Sequence, residues 1–238
     1  MTDFAAVESH LTTTLAPSRR PVAIAFRESP PAGVAKLDGT QPSGCSFWRL
    51  AAAGQVFYTV PSDHYNCPVG SYTHNIPLPT EREPELTNTL SLMANLGYLR
   101  MDEVPAIPRL ATTPAVTIYA PLAMTPVEPD AVIVSGTPAR LMLLHEAATR
   151  AGVGGTHPSS LLGRPTCMAI PAALSSGVAS SLGCVGNRIY TGIADEEFYT
   201  VIAGKDVAAV LAQLHTITNA NAALTEYHTG RRASLATM

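Results

Sequence analysis

Short apolar runs that alternate with helical patterns constrain the fold of this chain most strongly. PVAIAF (21–26), AVTIYAPL (115–122) and DAVIVSG (130–136) each have the length of a buried strand and include or border Pro or Gly. Between such runs, ELTNTLSLMANLGYL (85–99) and ARLMLLHEAATRAG (139–152) repeat apolar residues three and four positions apart, which is the period of a helix. The alternation predicts an α/β fold with a mixed sheet or sheets and packed helices.

The two ends of the chain carry further helical patterns. Apolar residues recur at helical spacing after Asp3, which predicts a helix over residues 3–15. Near the C-terminus, DEEFYTVI (195–202) is interpreted as a short helix, and residues 205–227 as a long one. The chain is predicted to form a single α/β domain over residues 1–238. Two related halves, 16–110 and 111–238, are an alternative description of the same unit.

Composition excludes several classes of protein. A chain of 238 residues that is 46% hydrophobic can bury a core without a disulfide or a metal. Its net charge of −3, without a basic stripe, argues against nucleic acid as a partner. Pro and Gly interrupt every apolar stretch before it reaches the roughly 18 residues of a membrane span, and no secretory signal is present, so we expect a cytoplasmic protein. The charged fraction of 14% is compatible with a homo-oligomer.

The four cysteines lie in a repeated order of residues. Residues 45–73 and 167–191 both run from a Cys through a short helix, a Gly and a short strand to a second Cys, a Gly turn and Tyr-Thr. A duplicated half would bring matching positions together about a pseudo-twofold axis. The sulfur atoms would then converge on one place. Chance similarity is an open alternative, because Ala, Gly and Ser are frequent and the gaps differ in length.

The positions of the cysteines favour thiolate chemistry. Cys45 and Cys167 stand where short helices begin, and the positive end of a helix dipole stabilises a thiolate. Cys67 and Cys184 each precede a turn that contains a glycine, whose exposed N–H groups can donate to sulfur. In a reducing compartment these residues are ligands, nucleophiles or core residues rather than disulfides.

These observations predict a metal centre held by Cys45, Cys67, Cys167 and Cys184. An all-cysteine set favours an iron–sulfur cluster with a redox or cofactor-related role and a redox partner. His64 and His74 are candidate additional ligands, and imidazole would favour zinc instead. None of the cysteine pairs has the CxxC spacing of common zinc or ferredoxin sites.

A binding module without metal is a second interpretation. In it, the cysteines pack in the core, and the two glycine turns hold a small anionic or planar molecule. The candidate ligand-binding residues are Gly70, Gly186, Asn187 and Arg188. The loop GVGGTHPSS (152–160), which contains His157, is a candidate lid over such a pocket.

A cysteine-dependent enzyme is the third interpretation. Here Cys45 or Cys67 would act as nucleophile with His64 as base. The sequence does not establish whether the protein is an enzyme, and it names no substrate.

Seven segments together resemble one known family. They are PVAIAF, CSFWRLAAAG, NCPVG, AVIVSGTPARLMLL, PTCMAIPAAL, SLGCVGNR and DEEFY, and their order extends from about residue 20 to 215. The chain resembles the uncharacterised DUF169 family. The resemblance implies a shared α/β fold and a shared set of four cysteines, which favours a site over core filling. It implies no reaction, and Asn187-Arg188 departs from the Gly-Asp-Arg that is common in relatives.

Overall fold

The structure is a computed structural model that describes residues 2–154, 161–162 and 164–236. It confirms the predicted mixed α/β fold. The candidate lid residue His157 lies outside the described residues.

Seven strands form one sheet in the order β2-β3-β1-β4-β7-β6-β5. Neighbouring strands are antiparallel, except that β5 runs parallel to β6. The division into two related halves, 16–110 and 111–238, remains a prediction. The strands are β1 Val22–Arg27, β2 Phe57–Thr59, β3 Val116–Pro121, β4 Ala131–Gly136, β5 Leu161–Leu162, β6 Val178–Ser181 and β7 Phe198–Ala203.

Helices cover both faces of the sheet. Because side chains alternate along a strand, Val132 and Val134 pack on the face covered by α1, α5 and α8, whereas Ile24 and Ile133 pack with α2 and α6 on the other face. The second face carries all four cysteines. The helices are α1 Phe4–Leu15, α2 Gly44–Ala52, α3 Pro68–Thr73, α4 Glu83–Asn95, α5 Pro138–Arg150, α6 Ala169–Ser176, α7 Val185–Thr191 and α8 Val207–Ala236.

The first helix follows the sequence pattern closely. The Asp3 carboxylate accepts hydrogen bonds from the N–H groups of Ala5 and Ala6 at 3.0 and 3.1 Å. Leu11 and Leu15 are fully buried, and burial of each such side chain contributes about 1.5–3 kcal/mol. The predicted helix over residues 3–15 is confirmed.

The segment DEEFYTVI is a strand, so the predicted short helix is wrong. Phe198–Ala203 pairs with β4 on one side and β6 on the other. Tyr199, Thr200, Val201 and Ile202 are all buried, and these aromatic and β-branched residues suit a strand that is covered on both faces. The acidic residues before Phe198 are typical of the start of a helix, but they lie outside the strand.

The last helix is longer than predicted. Val207, Val210 and Leu214 anchor the beginning of α8 in the core, while residues 222–235 are exposed. In the described part of the chain, no helix has both the length and the apolar character that crossing a bilayer requires.

Candidate functional site

All four cysteines line a single cavity of about 360 Å³. Cys45 is the second residue of α2, and Cys167 lies in the 3-10 turn Thr166–Met168 that leads into α6. Cys67 and Cys184 are the residues that immediately precede α3 and α7. All four are free thiols. The fold therefore brings together four residues that are distant in sequence.

Backbone contacts hold the thiol-bearing segments in place. The N–H of Cys184 donates to the Oγ1 of Thr166 at 2.6 Å. The Cys67 sulfur lies beside the backbone N–H groups of Gly44 and Gly70. A Cβ atom at Gly70 would stand 2.9 Å from that sulfur, so glycine makes room for the thiol. Gly70, a candidate ligand-binding residue, positions Cys67 rather than lining the cavity.

Burial keeps the thiols of Cys45, Cys67 and Cys167 protonated. Removal from water raises the pKa of Cys45, Cys67 and Cys167, and the neighbouring thiols raise it further. The Thr73 side chain opposes this shift at Cys167, and the nearby amide of Asn187 opposes it at Cys45. The expected stabilisation of thiolates at helix starts is therefore outweighed by desolvation.

The predicted metal centre is wrong. Within residues 2–154, 161–162 and 164–236, no group of three or more His, Cys, Asp or Glu side chains is placed so that it could hold a metal ion. The cysteines lie along the walls of a cavity instead of surrounding one point. The donor set does not fit an iron–sulfur cluster or zinc.

His64 and His74 belong to a buried aromatic cluster. His64 ends the turn that follows β2, and His74 directly follows α3. Their ring centroids lie 5.9 Å apart, and His64 stands 4.8 Å from the ring of Phe47. His64 Nε2 is paired with Thr59 Oγ1 at 2.9 Å, and His74 Nδ1 donates to the Gly70 carbonyl at 3.0 Å. Burial lowers the pKa of His64 to about 3 and also lowers that of His74.

The cavity has no histidine among its described lining residues. The proposed pairing of Cys45 or Cys67 with His64 as base is therefore not formed. The imidazole that the sequence offered as a ligand or a base serves packing in the core.

The walls of the cavity are mainly apolar. Side chains from α3, α4, the loop after α4, and α7 face the thiols across it. Tyr98 and Tyr190 also contribute to the wall, and both are partly exposed. The aliphatic and thioether side chains are Val69, Leu90, Met93, Leu99, Ile107 and Val185.

Asn187 is the buried polar side chain in this wall whose groups are not satisfied. It is 2% exposed, and neither its amide nitrogen nor its amide oxygen has a hydrogen-bond partner. The amide lies near the Cys45 thiol and the Tyr199 hydroxyl, but without the geometry of a hydrogen bond. A buried unpaired polar group costs about 1–3 kcal/mol. Asn187 and Gly186, both candidates from the sequence, line the cavity.

Arg188 faces away from the cavity. Its guanidinium donates to the carbonyls of Leu182, Ala194 and Glu197, the latter two at 2.8 and 3.1 Å. These bonds fasten the loop between α7 and β7. Arg188 is therefore a structural residue here rather than a clamp for an anion.

Arg164 is a cavity residue that sequence reasoning missed. Its guanidinium carbon lies 4.7 Å from the centre of the Tyr98 ring, and Nη2 donates to Glu103 Oε2 at 3.1 Å. Its Nε is buried without a partner. An arginine before a proline in a loop gives no local pattern, so nothing in the sequence marked it.

A second cavity of about 430 Å³ has different properties. It lies beside Arg27 and Asp130, whose side chains are paired at 2.7 Å. The same carboxylate accepts the N–H of Phe26 at 2.7 Å. None of its described lining residues carries a buried polar atom without a partner, so no feature there requires a ligand.

Comparison with known proteins finds one family whose model matches most of this chain. The model of DUF169, described as Uncharacterised ArCR, matches residues 10–213. Uncharacterized protein MJ0308 of Methanocaldococcus jannaschii is 28% identical over 179 residues, which cover 72% of this chain and 75% of that protein. No solved structure gives a significant match. Because the family model covers most of the chain, this protein belongs to the DUF169 family.

Proposed function

We propose that this protein binds a small, mainly apolar organic molecule in the cavity lined by its four cysteines. The observation that carries the proposal is the unpaired amide of Asn187 in the wall of that cavity. A fold rarely retains a buried polar group without a partner, and a bound molecule would supply that partner.

The dimensions of the cavity support this function. Its volume of about 360 Å³ falls within the roughly 300–1,000 Å³ typical of pockets for small molecules. Walls of Leu, Ile, Val and Met side chains remove apolar surface of a ligand from water, which contributes about 25 cal/mol for each Å². A few polar groups then fix its orientation.

The thiols of Cys45, Cys67 and Cys167 contribute apolar surface to the cavity rather than charge. Burial raises the pKa of Cys45, Cys67 and Cys167, so they are neutral near pH 7. A neutral thiol behaves as a small, polarisable apolar group. In this proposal the cysteines shape a soft wall against which an aromatic or aliphatic ligand packs.

Titration with N-phenylnaphthylamine, a neutral apolar dye that fluoresces when shielded from water, tests the proposal. We expect saturable binding with one site for each chain. Leu90 lines the cavity, while Leu92 on the same helix is 59% exposed and does not. Leu90→Trp should therefore fill the cavity and weaken dye binding at least about tenfold, which is the loss of about 1.4 kcal/mol. Leu92→Trp is the matched control and should bind as the unmodified chain does.

Two results would overturn the proposal. One is the absence of saturable dye binding to the unmodified chain. The other is equal affinity in the Leu90→Trp and Leu92→Trp variants, which would place the dye elsewhere on the surface. Circular dichroism of both variants verifies that the substitutions leave the fold intact.

A further inference from the structure

We infer that the ligand is an organic anion whose acidic group pairs with Arg164, an inference that rests on the proposed function. Among the described residues that line the cavity, Arg164 is the one that carries a full charge at neutral pH. None of the other described lining residues is an aspartate, a glutamate or a lysine. A cavity with apolar walls and one cation is complementary to an apolar body with one acidic group.

The guanidinium is held in a fixed orientation. It stacks on Tyr98 at 4.7 Å from the ring centre, and Glu103 holds Nη2 at 3.1 Å. Stacking and an ion pair restrict the long arginine side chain before a ligand arrives, which lowers the entropy lost on binding. The arginine is thus prepared for recognition of an acidic group.

This guanidinium has N–H donors that Glu103 does not use. Arginine has five N–H donors in a rigid fork, and Glu103 takes one of them. Nε is buried and has no partner among the described residues. The Glu103 side chain is 45% exposed, and exposed ion pairs contribute only about 0–1 kcal/mol. An acidic group of a ligand can therefore share or replace this carboxylate and also satisfy Nε.

The Nε and Nη edge of arginine matches the two oxygens of a carboxylate, and equally those of a phosphate or sulfonate. The shared chemistry is an anionic head on an apolar body. Asn187 lies in the same cavity and offers one donor and one acceptor to a second polar atom.

A pair of dyes tests this inference separately from the proposed function. Anilinonaphthalene sulfonate is N-phenylnaphthylamine with an added sulfonate. We expect the anionic dye to bind the unmodified chain about tenfold more tightly than the neutral one, the effect of one charge-assisted hydrogen bond. Arg164→Gln should abolish this preference, so that the variant binds the anionic dye no more tightly than the neutral one. Arg100→Gln removes an exposed arginine of the neighbouring segment and should preserve the preference.

Competition then identifies the head group. Decanoate, decyl phosphate and decanol should be compared as competitors of the neutral dye. Both anions should displace it more effectively than decanol, and the stronger of the two indicates the class of head group. Equal competition by decanol would overturn the inference.

The outcomes separate the two proposals. If the neutral dye binds but the anionic dye gains nothing, or Arg164→Gln retains the full preference, the anion inference fails and the proposed function stands. If Arg164→Gln loses both dyes through misfolding, the competition experiment on the unmodified chain decides, because equal displacement by decanol would still overturn the inference.

Discussion

Cys184 and Thr166 are joined by a hydrogen bond of 2.6 Å from the backbone N–H of the former to the hydroxyl of the latter. Thr166 is fully buried and precedes Cys167. One side-chain oxygen therefore joins the two thiol-bearing segments of the C-terminal half. The wall of the cavity on that side depends on this contact.

Thr166→Val should loosen that wall. Valine keeps the shape of threonine but removes the acceptor, which leaves the Cys184 N–H unpaired at a cost of about 1–3 kcal/mol in the free energy of unfolding. Thr166→Ser keeps the hydroxyl and loses one methyl group, at about 1 kcal/mol. Urea denaturation measures both. A valine variant as stable as the serine variant would show that the hydrogen bond does not hold the segments together.

Asn187→Leu should not destabilise the ligand-free protein. The amide has no hydrogen-bond partner to lose, so replacing it with an apolar side chain of similar shape should leave the free energy of unfolding unchanged or raise it by up to about 3 kcal/mol. Asn66 also lines the cavity, but its amide donates to the Gln41 carbonyl and accepts from Arg82, both at 3.2 Å.

The control is therefore Asn66→Leu, which removes satisfied bonds. It should lower the free energy of unfolding by about 0.5–1.5 kcal/mol. Thermal and urea unfolding of both variants provide the comparison. A marked loss of stability in Asn187→Leu would mean that the amide is satisfied within the protein and is not reserved for a ligand.

Local sequence predicted the elements that local interactions determine. Asp3 caps α1, and the apolar runs around Ile24 and Ile133 became central strands. The segment from Phe198 to Ala203 does not follow its local pattern. The acidic residues before it favour a helix, but pairing with β4 and β6 makes it a strand. Tertiary pairing outweighed the local pattern there.

The site was predictable only in part. Residue type identifies the cysteines as candidate site residues, and position after a cysteine identifies Asn187. The sequence does not give the distances between these residues. The metal prediction failed for that reason. The sequence could not identify Arg164, because its partner Glu103 lies 61 residues away and only the fold brings the two together.

Thiol labelling should divide the cysteines by exposure. Cys67 and Cys184 are half-buried, whereas Cys45 and Cys167 are buried in the core. With limiting iodoacetamide, Cys67 and Cys184 should react in the folded protein, whereas Cys45 and Cys167 should react only after it unfolds. Because burial raises the pKa of Cys67, its rate at pH 7.5 should be below that of a small free thiol and should still rise as pH increases.

Peptide mass spectrometry assigns the modified residues. Bound N-phenylnaphthylamine should slow labelling of Cys67, which lines the same cavity. Rapid modification of Cys45 at neutral pH would contradict its burial. Equal rates with and without dye would place the dye outside the cavity.

Acid should destabilise the protein through its buried histidines. Burial lowers the pKa of His64 to about 3, from an ordinary value of 6.5, and it also lowers the pKa of His74 and His145. Between these two values the unfolded chain binds a proton at His64 that the folded chain excludes. Its contribution to stability is therefore complete above pH 6.5 and is lost as pH falls toward 3, at about 1.4 kcal/mol per pH unit.

His64→Gln removes this titration and can keep a hydrogen bond to Thr59, the partner of Nε2 at 2.9 Å. The variant should lose packing against Phe47 and be less stable at pH 7.5, but its free energy of unfolding should fall less steeply between pH 6.5 and 4. The difference in slope should approach one proton. Urea denaturation across this range measures it, and identical slopes would mean that the His64 ring is protonated within the fold. Since the ring lies 4.8 Å from Phe47 in a buried aromatic cluster, the neutral form is the one that the packing selects.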